Sequence, residues 1–387
     1  MRDVSIVGMG TTEFGVLDGG VKDLGSRTVA RALRDGGVDR SEVGALYVGN
    51  FVAGILEGQG AVGPMIADEV GLSGVPAMTT EGACASSGIA LRQGQRAVAS
   101  GEYDVVVAAG VESMTDAGTP EFTRALGSAA DRLTEGITGL TFPGFYGIYL
   151  DRYMHEYGAT REEVAAVSVK NRANGVENPR ARFREPVTVE EVVESRPVAD
   201  PLRLYDCCPA ADGGAAVVLA ASDVANEFTE DPIDVLGTGH ATGHNAAHRY
   251  EDLTTLDATV DAAESAYAEA GIGPSDLDVV ELHDCFTPAE IGDSEDLGLF
   301  EKGEGARAAA EGRTEVGGEF PINPSGGLLA KGHPVGATGI GQAYEVCRQL
   351  RGDHENQVAD AEIGLTHNLG GSGAVCTVTV LGRGDRR

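Results

Sequence analysis

The sequence of 387 residues has few basic side chains, and lysine is the scarcest of them. Lys and Arg total 29 against 60 Asp and Glu, so the formal net charge is −31, and only Lys22, Lys170, Lys302 and Lys331 are lysines. Such a chain repels phosphate backbones, which excludes nucleic acid as a partner. Apolar residues make up 42% of the chain, too many for a disordered polymer. A hydrated carboxylate surface screened by high salt, as in a halophile's cytosol, accounts for both features.

Long apolar runs and paired metal-binding cysteines are also missing. No run approaches the roughly 18 residues of a membrane span, and the opening "MRDVSIVGMG" predicts a strand rather than a secretion signal. We therefore expect a cytoplasmic protein without a membrane segment. None of the six cysteines has CxxC spacing, which argues against a zinc knuckle. His240, His244 and His248 are interrupted by glycine and asparagine and lack a nearby carboxylate ligand, so no metal site is predicted.

Strand-like and helix-like segments alternate along the first 110 residues. Continuous apolar strands such as "YDVVVAAGV" between helical patterns predict an α/β sheet covered on both faces. Residues 111–205 break this rhythm and predict an inserted loop domain. The strand pattern then returns in "GGAAVVLAA", and "EFTEDP" marks a boundary between an N-terminal half at 1–230 and a C-terminal half at 231–387.

The two halves resemble each other. "ALRDGGVDRSEVGALYVGN" (32–50) aligns without gaps to "AYAEAGIGPSDLDVVELHD" (266–284), and "SSGIA" (86–90) matches "ATGIG" (337–341). Repeated segments in the same order predict duplicated α/β units. Sites form at the carboxyl ends of the strands of such sheets, so "EGACASSG" and "GHPVGATG" should meet on one face and bring Cys84 to His333.

Cys84 follows a strand and precedes a helix rich in small residues. Backbone N–H groups at a helix start favour a thiolate, so we expect a lowered pKa and a nucleophile for acyl transfer. The stretch alone fits a buried small side chain equally well. His333 lies among glycines that permit close approach of a substrate, and it could take the proton of Cys84 or simply bond to the backbone. The vicinal Cys207 and Cys208 could be reactive, and core packing is the preferred role.

Two further strands end in reactive side chains. "LDVVELHDCF" ends in His283, Asp284 and Cys285, and polar groups at the end of a buried strand are costly unless they are satisfied or used. "IGLTHNLGGSGAV" contains His367 and Asn368 before a glycine turn that could offer backbone donors to an oxyanion.

These stretches together resemble the thiolase superfamily over essentially the whole chain. "EGACASSG" looks like the nucleophile loop and "NPSGGLLAKGHPVGATG" like the GHP loop, whereas "VELHDCF" and "THNLGGSG" are similar to loops of the sterol-carrier-protein-x and archaeal thiolases. The resemblance implies an α/β thiolase fold of duplicated five-layer αβαβα halves with a loop domain. With the charge, it implies a haloarchaeal source. It assigns to the oxyanion and substrate loops Ser325, Gly326, Asn368, Gly370 and Gly371.

The resemblance also implies catalytic roles. Cys84 would be acylated by acyl-CoA, His333 would take the thiol proton, and His283 would help to bind an oxyanion. Familiar thiolases carry a second cysteine in a C-terminal CxG loop that is missing here, so Cys285 or His367 would move the proton at the substrate α-carbon.

The predicted activity is that of an acetyl-CoA C-acetyltransferase, which makes or cleaves acetoacetyl-CoA, as in lipid and mevalonate metabolism. The alternatives are a 3-ketoacyl-CoA thiolase for longer chains in fatty-acid or polyester-precursor metabolism and an inactive lipid-binding or scaffold subunit. CoA and acyl-CoA are expected as substrates, with no permanently bound cofactor. The resemblance implies a homodimer or homotetramer and suggests as partners a small OB-fold/zinc-ribbon protein and 3-hydroxy-3-methylglutaryl-CoA synthase.

Overall fold

The computed structural model describes residues 1–384, so residues 385–387 of the predicted C-terminal half lie outside the described part. The strands within residues 1–384 are β1 (Val4–Thr11), β2 (Ala45–Gly49), β3 (Ala77–Thr80), β4 (Val105–Glu112), β5 (Pro197–Ala199), β6 (Leu202–Arg203), β7 (Gly213–Ala221), β8 (Ile233–Thr242), β9 (Val279–Glu281), β10 (Ile363–Gly370) and β11 (Val375–Arg383). The helices of the same part are α1 (Val21–Asp35), α2 (Ala53–Leu56), α3 (Val62–Glu69), α4 (Ser86–Ala99), α5 (Thr119–Leu126), α6 (Phe142–Tyr157), α7 (Arg161–Glu177), α8 (Val189–Glu194), α9 (Asp257–Ala270), α10 (Thr287–Asp296), α11 (Gly305–Ala310), α12 (Gly327–Lys331) and α13 (Thr338–Arg351).

The sheet repeats one strand order on either side of its centre. Its order is β3-β2-β4-β7-β1-β8-β11-β10-β9, and β1 meets β8 through two antiparallel residue pairs, Ser5 with Asp234 and Ile6 with Ile233. Outward from this junction, each half has two antiparallel strand pairings followed by parallel pairing, with two parallel pairs in the described N-terminal half and one in the described C-terminal half. The duplication expected from the sequence is therefore present, and the proposed boundary at 230/231 falls between β7 and β8.

The central layer consists of α4 and α13, each of which contacts strands of both halves. The two helices approach closely because both carry glycine at the crossing: a Cβ on Gly339 would lie 2.7 Å from the backbone nitrogen of Gly88. The Ile340 N–H also donates to Ser87 Oγ at 3.2 Å. The matched segments 86–90 and 337–341 thus form the starts of the two central helices.

Three apolar cores separate five layers. The central core joins α4 and α13 to strands of both halves. A second core packs α1 and α3 on the N-terminal strands, and a third joins α9 and α10 to the C-terminal strands. Each fully buried Val, Leu or Ile in these cores stabilises the fold by about 1.5–3 kcal/mol. The architecture is the predicted αβαβα arrangement.

The proposed insertion at 111–205 carries α5 to α8 and the β5–β6 pair, and it is anchored on the C-terminal half. Tyr149 and Tyr153 of α6 are fully buried in the core that contains α10. Lys170 Nζ of α7 lies 2.6 Å from the buried carboxylate of Glu290. These contacts fix one wall of the site described next. In residues 1–384, no helix combines the length and apolar character needed to cross a membrane.

Candidate active site

A cavity of about 490 Å³ opens where parallel strands of both halves end. Cys84 follows β3, Met114 follows β4, His283 follows β9 and Gly371 follows β10, and all four residues line the cavity. Carboxyl ends of parallel strands are the usual place for a site in an α/β sheet. The loop domain supplies an opposite wall of mainly apolar side chains: Phe122, Leu126, Phe142, Val198 and Leu204.

Cys84 lies on a 3₁₀ turn, Ala83–Ala85, directly before α4. Ala83 has φ of 49°, a left-handed conformation that is unfavourable for a residue with a Cβ. Ser86 holds this turn, because its Oγ accepts from the Gly82 N–H at 3.0 Å and donates to the Ala83 carbonyl at 2.6 Å. A Cβ on Gly370 would lie 2.3 Å from the Gly82 carbonyl, so strand β10 also fixes the nucleophile loop by close backbone contact.

The ring of His333 is oriented by Thr338, the first residue of α13. The Thr338 hydroxyl donates its single proton to the Pro334 carbonyl at 3.1 Å and lies 2.7 Å from Nδ1 of His333. We assign the hydroxyl proton to the Pro334 carbonyl, so the hydroxyl accepts from Nδ1–H and Nε2 of His333 is a lone-pair acceptor. Nε2 is buried without a hydrogen-bond partner within the described part of the chain. In this tautomer the lone pair of His333 Nε2 is free to accept a proton.

His283 has the opposite tautomer. Nδ2 of Asn368 can only donate, and it lies 3.1 Å from Nδ1 of His283, so Nδ1 accepts and the proton is on Nε2. The His283 and His333 rings meet edge to face with centroids 4.9 Å apart. One ligand-type atom from each of Cys84, His283 and His333 lies within 4.8 Å of the other two. The site therefore combines a thiol, a base and a neutral N–H donor.

Burial determines the protonation states of this group. Burial raises the pKa of the Cys84 thiol to about 12, although hydrogen bonds from the Gly371 N–H and from its own N–H lower it. Burial also lowers the pKa of His333 to about 3 and that of His283 well below its usual value. The expected lowering of the Cys84 pKa is wrong, because desolvation of the thiolate outweighs the two backbone donors. The resting site holds a thiol and two neutral imidazoles.

Cys285 also lines the cavity, next to the Tyr146 hydroxyl and the thiols of Cys84 and Cys208. Burial and the neighbouring thiols raise the pKa of Cys285 well above its usual value. It is therefore a protonated acid in the resting site.

His367 lies behind the cavity wall. Its Nε2 is 3.0 Å from Thr259 Oγ1 of α9 and 3.7 Å from a carboxylate oxygen of Asp293, and the residue is fully buried. The structure thus brings Cys285, but not His367, to the cavity.

The residues assigned to the oxyanion and substrate loops divide into two groups. Gly371 lines the cavity and its N–H points at the Cys84 sulfur. Asn368 orients His283 from behind. Ser325 is fully buried, where its N–H and hydroxyl both donate to Glu281, and a Cβ on Gly326 would lie 2.9 Å from the Gly175 backbone. Ser325 and Gly326 hold the GHP loop and do not face the cavity.

One buried carboxylate connects the loop of His283 to the loop of His333. Asp284, between His283 and Cys285, accepts from the N–H groups of Leu328 at 2.7 Å and Leu329 at 3.2 Å. These N–H groups begin α12, which leads directly to His333. The position of His283 relative to His333 is therefore fixed through Asp284.

The sequence reasoning missed the role of the segment 207–210. Cys207 forms an antiparallel bridge with Phe286, and Ala210 forms a parallel bridge with His333. Cys207 and Cys208 pack against the C-terminal core, as expected, and they also line the cavity. Isolated bridges of this kind leave no periodic pattern in the sequence. The one feature of the sequence that marks this segment is the pair of adjacent cysteines followed by proline.

The Cys84, His283 and His333 atoms are also the one group of potential metal ligands that converges within residues 1–384. The spaced histidines lie elsewhere: His240 is on β8, and the His244 ring packs edge to face on Tyr250.

Family models, related sequences and a solved structure all match this chain over nearly its full length. A family model described as "Thiolase, N-terminal domain" matches residues 4–223, and one described as "Thiolase C-terminal domain-like" matches residues 239–383. The chain is 49% identical to an acetyl-CoA acetyltransferase of Methanothermobacter thermautotrophicus, with 99% of this chain and 100% of that protein covered. It is 40% identical to an acetyl-CoA acetyltransferase of Methanocaldococcus jannaschii, with 98% and 99% covered. Among solved structures it is similar to the Ltp2-ChsH2(DUF35) aldolase, with a TM-score of 0.85, 28% identity, and 100% and 99% coverage.

Proposed function

The chain belongs to the thiolase family, and we propose that it is an acetyl-CoA C-acetyltransferase that condenses two molecules of acetyl-CoA or cleaves acetoacetyl-CoA by thiolysis. The convergence of Cys84, His283 and His333 within 4.8 Å carries the proposal. Acyl transfer through a covalent intermediate needs a nucleophile, a base and donors for an oxyanion, and this cavity supplies all three. The two similar acetyl-CoA acetyltransferases support the choice of substrate.

Thiolysis begins at Cys84. Its sulfur attacks the 3-keto carbon of acetoacetyl-CoA while its proton passes to Nε2 of His333. The backbone N–H groups of Cys84 and Gly371 both point at the sulfur, and they are placed to stabilise the oxyanion that forms on the attacked carbonyl. The bond between C2 and C3 then breaks, which leaves acetyl-Cys84 and the enolate of acetyl-CoA.

Cys285 completes the exchange of protons. The enolate oxygen accepts from Nε2–H of His283, and the Cys285 thiol, kept protonated by its raised pKa, protonates C2. The incoming CoA thiol returns a proton to Cys285 and attacks acetyl-Cys84, and Cys84 recovers its proton from His333. Condensation is the same sequence in reverse. Since His367 lies behind the wall, we assign the second proton transfer to Cys285.

The test is thiolysis of acetoacetyl-CoA at molar salt by the wild type and by Cys84→Ala. Because the thiol is the only proposed nucleophile, the variant should form no acyl-enzyme and lose thiolysis while its circular dichroism is unchanged. Robust thiolysis by Cys84→Ala would refute the assignment. Longer 3-ketoacyl-CoAs in the same assay decide between this activity and a long-chain thiolase, and an inactive wild type would favour the scaffold alternative.

The proposal also covers the salt concentration at which the protein works, its oligomeric state and its partner proteins. A net charge of −31 supports a working environment of high salt, because screening relieves the repulsion between carboxylates. We propose a homodimer or homotetramer in the cytoplasm that binds a small OB-fold/zinc-ribbon protein and 3-hydroxy-3-methylglutaryl-CoA synthase. Light scattering at molar and low salt, with and without the two candidate partners, measures each of these associations, and a monomer with no complex at molar salt would contradict them.

A further inference from the structure

The three reactive atoms of the cavity also form a set of ligands for a soft metal ion. We propose that the resting enzyme binds one Zn²⁺ on Cys84 Sγ, His283 Nε2 and His333 Nε2, and that the ion and an acyl group exclude one another at Cys84. The inference concerns an inhibitory metal site and uses residues that the proposed function assigns to catalysis. Its test is therefore spectroscopic and independent of turnover.

The geometry is close to that of a three-ligand zinc site. Bond lengths of about 2.3 Å to sulfur and 2.0–2.1 Å to nitrogen place tetrahedral ligands roughly 3.3–3.6 Å apart. The three atoms already lie within 4.8 Å of one another, so small side-chain movements close the site. Three protein ligands leave a fourth position, which water can fill.

Outer hydrogen bonds hold both imidazoles in place. Thr338 Oγ1 at 2.7 Å fixes the His333 ring with Nε2 free. Asn368 lies 3.1 Å from Nδ1 of His283, and its own Oδ1 is buried without a partner within the described chain. Rotation of this amide by half a turn would present Oδ1 to Nδ1–H, which is the tautomer that a metal on Nε2 requires. Such outer contacts typically change metal affinity by about 10–100-fold.

The proton balance of binding is simple. Each imidazole binds the ion through Nε2 and keeps one proton, on Nδ1. The proton on Nε2 of His283 moves to Nδ1 within the same ring. The S–H bond of Cys84 breaks, the sulfur–zinc bond forms, and one proton passes to solvent. No oxidant or reductant takes part. Because zinc withdraws charge from the sulfur and occupies Nε2 of His333, we expect the metal-bound form to resist acylation.

The experiment is a titration of the full chain with Co²⁺ at molar potassium chloride without oxygen, followed by displacement with Zn²⁺. We expect one ion per subunit, a thiolate-to-cobalt charge-transfer band, release of one proton, and loss of the band after acetylation by acetyl-CoA. Cys84→Ala and His283→Ala should lose more than about 100-fold in affinity, beyond the effect of an outer contact.

Cys207→Ser, which alters another thiol of the same cavity, is the matched control and should bind as the wild type does. A charge-transfer band that persists in Cys84→Ala, or a folded wild type that binds cobalt without one, would overturn the proposal. Acetylation of Cys84, measured separately without metal, tests the proposed function. A failure of one inference is therefore distinguishable from a failure of the other.

Discussion

The hydrogen bond between Thr338 and His333 gives a sharp prediction for the variant Thr338→Val. Valine has nearly the same shape, so the central helix α13 should form as before. The change removes the acceptor 2.7 Å from Nδ1 of His333 inside a buried site. The N–H of Nδ1 then has no partner, and the tautomer that keeps the proton on Nε2 becomes competitive. In that tautomer His333 cannot take the proton of Cys84.

The size of the effect follows from the contact that is lost. A buried donor left without a partner costs about 1–3 kcal/mol, which corresponds to a decrease in acylation rate of roughly 5–150-fold. The assay is a single turnover with acetyl-CoA in which release of CoA measures acylation of Cys84. The decrease should fall on the acylation rate constant, with little change in the concentration of acetyl-CoA that half-saturates it, because Thr338 does not line the cavity.

Thr338→Ser is the matched control, since it keeps the hydroxyl and removes only a methyl group. Acylation by Thr338→Ser should be close to that of the wild type. If Thr338→Val acylates as fast as the wild type, or if serine and valine are equally slow, the hydroxyl does not set the tautomer and the reasoning fails.

Two further predictions concern Cys84 and its loop. Because burial raises the pKa of Cys84 to about 12, its alkylation by iodoacetamide should keep rising up to about pH 10; a plateau near neutral pH would show a resident thiolate. In Gly370→Ala the new Cβ would lie 2.3 Å from the Gly82 carbonyl, so acylation should slow and unfolding should cost about 1–3 kcal/mol less. Gly60→Ala, which has nothing within 4 Å of its added Cβ, should leave both unchanged, and equal effects at the two positions would contradict the proposed contact.

The sequence predicts the duplication because equivalent positions in the two halves require the same backbone conformation. Gly37 and Gly271 align in the two repeats, and both adopt positive φ, 63° and 70°, at the end of equivalent helices. The segments that follow them become β2 and β9, each parallel to a neighbour in its own half. Spacing of glycines and apolar strands is sufficient to predict this level of structure.

The sequence does not predict to which face of the sheet each side chain of β10 points. His367 and Asn368 are adjacent, so their side chains leave opposite faces of the sheet. His367 faces Thr259 of the outer helix α9, whereas Asn368 faces His283. Both residues lie in the same polar stretch of the sequence. Only the packing of the layers decides that Asn368, and not His367, reaches the side chain of His283.

The pKa of Cys84 depends on how deeply the thiol is buried, and the sequence around Cys84 does not give that burial. The position before a helix was read correctly, and two backbone N–H groups do point at the sulfur. Their effect is smaller than the cost of burying a thiolate among apolar groups, and that burial comes from the loop domain, which is distant in sequence. In the proposed mechanism, His333 therefore takes the Cys84 proton during the reaction and not before it.

The central claim, that Cys84 carries the acyl group with His333 as its base, is tested most directly by locating the acyl group. The protein is mixed with acetyl-CoA at molar salt, quenched in acid and digested, and each cysteine-containing peptide is examined by mass spectrometry. The account predicts one acetyl group, on the peptide that contains Cys84, and its loss in Cys84→Ala and strong decrease in His333→Ala. Acetylation of Cys285 or Cys208 instead, or acetyl-Cys84 formed at an unchanged rate without His333, would contradict it.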